Sequence, residues 1–176
     1  MNPEESKMLF SARITGFAIA VVVSAFALLH VAPSHAASGE EIIKARVSFM
    51  EDDIGGHWKV LAAFAKNGTG TLADVEKSAT ALSKLTEKIP SHFPKDTGRG
   101  HFPDKMTRAL PVIWTNADQF KKDIKILADG TEKLARLAKE GDKDAVVAMI
   151  GTAGSYARTN IGCAECHKTF RGERVK

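Results

Sequence analysis

The chain holds 176 residues, 44% apolar and 26% charged, with 25 Lys and Arg against 21 Asp and Glu for a net charge of +4. This length predicts one domain, or one domain plus a targeting segment, and the composition excludes wholesale disorder and collagen-like order. The mild, dispersed positive charge does not point to nucleic acid, and two cysteines exclude a disulfide-dense scaffold or a four-cysteine metal site.

Residues 1–36 read as an export signal. Lys7 and Arg13 give a weakly basic start, and Ile14 to Ala32 then runs 19 residues without a formal charge. Ser34-His35-Ala36 places small residues at the −3 and −1 positions of a cleavage site before Ala37. The apolar run is longer than the usual signal core and approaches the roughly 20 residues that span a bilayer, so an uncleaved anchor competes with cleavage. Pro33 and the small residues after it favour cleavage, because they break the helix where a peptidase needs access. The mature domain is then 37–176, which is long enough for a real core. It works outside the reducing cytoplasm.

The mature chain predicts four helices. The first covers Glu40 to Lys66, with Ile43, Val47, Met50, Ile54, Trp58, Leu61 and Ala65 at helical spacing. Gly55-Gly56 interrupts it and suggests a bend, or a place where something bulky lies against the backbone. After the turn Asn67-Gly68-Thr69-Gly70, Thr71 and Asp74 form a near capping box for a second helix that Pro90 stops. Pro90 to Pro103 has no period and reads as a crossover loop. A third helix starts between Asp104 and Pro111 and runs to about Glu140, with Gly130 as a weak point. Asp142 caps a fourth, whose stripe is Val146, Met149/Ile150, Ala153, Ala157, Ala164 and His167. No segment alternates as a strand does. The expected fold is all-α, an antiparallel four-helix bundle.

The chemistry lies in Cys163-Ala164-Glu165-Cys166-His167. A Cys-x-x-Cys-His run is the attachment sequence of c-type haem. On a helix, positions i and i+3 share one side, so two thiols can add to the two vinyl groups on one porphyrin edge. The histidine shares that side and can reach the iron. The predicted cofactor is one haem c, covalent and thioether-linked. Other uses of the motif are weaker. A zinc site needs two further ligands at suitable spacing, and His57, His92 and His101 form no paired motif. A redox dithiol belongs after a strand at a helix N-terminus, and a disulfide between i and i+3 closes too small a loop to stabilise much.

With Cys163 to Arg171 near the C-terminus of a helical chain, the sequence resembles the cytochrome c prime family, the class II c-type cytochromes. Arg46 and Met50 stand four apart on the first helix, as in that family, and Ala109-Leu110-Pro111-Val112-Ile113-Trp114 is similar to its Pro-x-Ile-Trp segment. Phe170-Arg171 follow the histidine at the family's offsets. The resemblance covers residues 40–173. It implies a four-helix bundle, often a homodimer, in the periplasm. It also implies that Arg46 lies beside a haem propionate, that Arg171 lies beside the proximal imidazole, and that Met50 faces the other side of the iron from His167.

Met50 decides between two functions. A thioether ligand makes the iron six-coordinate and low-spin, which suits a one-electron carrier between redox partner proteins. A Met50 that only fills a gap leaves five-coordinate, high-spin iron that binds diatomic gases such as NO or CO. Enzymatic haem chemistry is not expected, because it needs a distal acid–base group and a thioether cannot transfer protons. His92 and His101 in the crossover loop are expected to be solvated, as are Lys121, Lys122, Lys125, Lys133 and Lys139 on the third helix.

Overall fold

The structure, a computed structural model, describes residues 37–152 and 160–175. Residues 1–36, expected as the export signal, and stripe positions Ala153 and Ala157 lie outside the described residues. The first helix α1 (Gly39–Ser48) opens with a capping box. The Ser38 hydroxyl accepts from the Glu41 N–H, and the Glu41 carboxylate accepts from the Ser38 N–H at 2.7 Å. These bonds to the ionised form hold the Glu41 carboxyl below its usual range.

The backbone then passes through a π-helical turn, Phe49–Ile54, into α2 (Gly55–Asn67). The Gly55 N–H donates to the Met50 carbonyl, five residues back, which is the π pattern. A Cβ on Gly55 would stand 3.3 Å from that carbonyl oxygen. The glycine pair therefore marks a wide turn within a continuing helix. The wide turn also rotates the buried face. Arg46 and Phe49 are buried, whereas Val47, expected in the stripe, is 40% exposed.

Gly68, at φ 67°, ends α2, and Thr71 and Asp74 form the predicted capping box of α3 (Leu72–Thr86). A 3-10 turn, Ile89–His92, starts the crossover. The expected third helix is divided. A short α4 (Val112–Thr115) ends at Asn116, whose φ of −127° and ψ of 53° are not helical, before α5 (Ala117–Glu140). Gly130 does not interrupt α5. A Cβ there would stand 2.6 Å from the Ile161 carbonyl oxygen, so this glycine permits a close approach of another segment. The fourth element is also divided. α6 (Lys143–Ile150), capped by the Asp142 carboxylate, ends at Gly151 with φ 78°. α7 (Cys163–Phe170) begins after Gly162 with φ 101°.

Among the described residues there is no strand, only isolated bridges between Arg99 and Phe102 and between Ala109 and Arg171. α5 packs along α3, α2 packs on α3 and α6, and α7 packs on α5. The fold is an all-α four-helix bundle. Its interior divides along the bundle. One end is mostly aliphatic, built on Leu61, Val75, Leu82, Leu134, Val146 and Ile150 with Phe64 among them. The other is aromatic, built on Phe49, Ile113, Phe120, Leu127 and Phe170. The crossover closes this second end. The Trp114 indole N–H donates to the Phe93 carbonyl at 3.0 Å, and its ring fills the space a side chain at Gly98 would need.

Candidate functional site

The Cys-x-x-Cys-His segment is held on α5 by two glycines. A Cβ on Gly162 would stand 2.8 Å from the Leu127 backbone, and Gly130 receives the Ile161 carbonyl. One turn further along α7, the Phe170 ring meets Phe120 edge-on at 5.1 Å between centroids. The helix that carries the motif is thus fixed at both ends against one neighbour.

Cys163 and Cys166 are half-buried against the aromatic cluster, and no disulfide joins them. Burial pushes the Cys166 thiol up to about 12, with the charges of Asp123 and Cys163 adding to the shift. A redox dithiol needs the opposite, a thiol lowered towards neutrality. Burial pushes His167 down to about 4, and the positive charges of Arg171 and Arg108 push in the same direction. The imidazole is therefore neutral at pH 7, the form that offers a lone pair to a metal. Among the described residues no group of three or more His, Cys, Asp and Glu could hold a metal ion by itself, so the zinc alternative finds no ligand set. The donor set fits a haem: two thiols one turn apart, a neutral imidazole beside them, and an apolar cluster to receive the ring.

Met50 lies in the π-helical turn and packs, half-buried, against the same cluster as both cysteines. Arg46 is held by protein partners in the crossover. It is 4% exposed, and its guanidinium faces the crossover loop. It donates to the Thr97 hydroxyl at 2.9 Å, the Thr97 carbonyl at 2.7 Å, the Thr107 hydroxyl at 2.8 Å and the His92 carbonyl at 3.3 Å. It also lies over the Phe93 ring, 4.9 Å from the centroid, and burial lowers its pKa to about 10. Arg171 sits at the end of α7, bridged to Ala109 and near enough to act on His167.

His92 is not a solvated loop residue. Its ring stacks on Phe49 at 3.9 Å, and burial lowers its pKa. His101 is exposed and pairs with Asp96 at 3.2 Å, and the five α5 lysines are exposed as expected. Sequence reasoning missed three contributors. Phe49 and Thr97 fell outside the helical pattern because of the π turn and the loop. Asp123 left a readable signal: a charge between Phe120 and Leu127 on the core stripe, buried in the structure.

A helical bundle that presents this thiol pair and imidazole to an aromatic interior defines a covalent haem-binding protein. The family model described as "Cytochrome C'" matches residues 41–171. A cytochrome c' of Pararhodospirillum photometricum is 35% identical over 66% of this chain and 86% of its own length. A cytochrome c-556 of Agrobacterium tumefaciens is 34% identical over 69% and 90%. The solved cytochrome c' from Rhodobacter Spheriodes superposes with a TM-score of 0.64 at 26% identity, covering 78% of this chain and 100% of that one. The chain belongs to the cytochrome c' family, and its cofactor is a covalently attached haem c.

Proposed function

We propose that this protein is a periplasmic one-electron carrier in which Cys163 and Cys166 hold the haem and His167 and Met50 bind its iron. The observation that carries this reading is the position of Met50. It lies in a π-helical turn and packs into the cluster that also receives both cysteines. Single π turns inside α-helices concentrate at functional sites, since they re-aim a side chain at some cost in helix stability. When bound, the haem supplies a metal that changes oxidation state by one electron. The chain does the rest. The two thiols fix the porphyrin edge, and the neutral imidazole donates to the metal. The aromatic cluster of Phe49, Phe120 and Phe170 excludes water, and a thioether at the sixth position favours the reduced state.

The proposal includes removal of residues 1–36 on export. Among the described residues, no helix is long and apolar enough to cross a membrane. The alternative is five-coordinate iron that binds NO or CO. A structural neighbour from Alcaligenes xylosoxidans, 24% identical, was solved as a nitric oxide complex of a variant, a property of that protein. The absorption spectrum of the ferric holoprotein separates the two. Methionine ligation gives a low-spin spectrum with a sulfur-to-iron band in the near infrared, and Met50→Ala abolishes that band and lowers the potential. A high-spin spectrum in the unmodified protein, converting on addition of carbon monoxide, overturns the carrier reading.

A further inference from the structure

We infer that Asp123 biases the haem towards its oxidised state, acting as a buried negative charge beside the porphyrin edge that Cys166 carries. Two contacts fix its place. Gly162 abuts the backbone of Leu127, and Phe170 meets the ring of Phe120. α7 therefore runs antiparallel to α5, with 162 against 127 and 170 against 120. Cys166 lies one turn after Gly162, and Asp123 lies one turn before Leu127. The register sets these two residues opposite each other. In agreement, the Asp123 charge acts on the Cys166 thiol.

Asp123 is 3% exposed, and the Gln119 amide donates to its Oδ1 at 2.6 Å. A buried carboxylate is costly unless hydrogen bonds or a positive charge compensate it. Gln119 supplies a neutral bond. Among the cations around the site, Arg108 and Arg171 act on His167, and Lys121, Lys122 and Lys125 are exposed. The iron centre is more positive by one charge when oxidised. A carboxylate held near it, away from water, stabilises the oxidised form more than the reduced one. The inference rests on attachment at Cys166 and holds whether or not Met50 binds the iron.

The test is a spectroelectrochemical titration of the holoprotein, in which one electron passes from the electrode to the iron through a soluble mediator. Asp123→Asn keeps the shape and removes the charge. Its reduction equilibrium constant is expected to rise on the order of tenfold, about 59 mV for a one-electron couple. Asp123→Glu keeps the charge and is expected to stay close to the unmodified protein. An unchanged or lower potential in Asp123→Asn overturns the inference, as does an equal shift in Asp123→Glu. Should Asp123→Asn accumulate no holoprotein, Gln119→Lys decides. It sets a cation one turn from the carboxylate and is expected to raise the potential, and no rise overturns the inference. A failure of the Met50 reading would show in the spin state and leave these shifts in place.

Discussion

Replacing Arg46 by alanine tests how the aromatic end of the bundle is closed. The side chain makes four hydrogen bonds to the crossover loop and covers the Phe93 ring. Truncation does not orphan every acceptor. The Thr97 hydroxyl keeps its bond to the Pro94 carbonyl at 2.7 Å, and the Thr107 hydroxyl keeps the Ala109 N–H at 3.1 Å. The Thr97 carbonyl, in a residue only 4% exposed, loses a charged donor, which costs about 1–3 kcal/mol. The lost cation–π contact adds about 0.5–2 kcal/mol. With the packing of the side chain's stem included, the expected loss is about 3–5 kcal/mol, or roughly 10–15 °C in Tm for a domain of this size. Arg46→Lys should recover only part of this, since a single ammonium cannot reach the same fork of acceptors. Urea unfolding of the holoprotein, followed by far-ultraviolet circular dichroism, measures both. A loss below about 1 kcal/mol in Arg46→Ala would refute the reasoning.

Two further substitutions probe the scaffold. Gly162→Ala combines a left-handed φ of 101° with a Cβ 2.8 Å from the Leu127 backbone, whereas Gly68→Ala has φ 67° and open space. Gly68→Ala should therefore cost about 1–2 kcal/mol, and Gly162→Ala distinctly more, with a lower yield of holoprotein. Equal costs would contradict the close approach. Leu134→Ala, at a position with 0% exposure in the aliphatic cluster, should cost about 2.7–5 kcal/mol by the same unfolding assay. Cys163 packs against that cluster as well as the aromatic one, whereas Cys166 packs against the aromatic one, so a small shift in the visible spectrum is expected to accompany the loss of stability.

The sequence made the haem site legible because its chemistry is local. The thiols and the imidazole lie within five consecutive residues, and helical spacing alone puts them on one side. Most helix limits were legible for a similar reason, since Thr71, Asp142, Gly68 and Gly141 act on backbone groups within one turn. The misreadings involve long-range partners. Gly130 has the composition of a helix defect, and only the arrival of Ile161 from the far end of the chain explains it. Val47 leaves the buried stripe because a π turn breaks the 3.6-residue period that the stripe assumes. Arg46 can be buried because Thr97 and Thr107, more than fifty positions away, converge on it. Asp123 was visible as a charge in a core stripe, but its meaning depends on α7 lying opposite.

The chemistry of this protein depends on haem bonded to the thiols of Cys163 and Cys166. Intact mass spectrometry of the natively exported protein tests this attachment most directly. The account predicts the mass of residues 37–176 plus one haem, with the added mass retained on the peptide that spans 163–167 after digestion. The mass of the polypeptide alone, with both thiols open to alkylation, would contradict it.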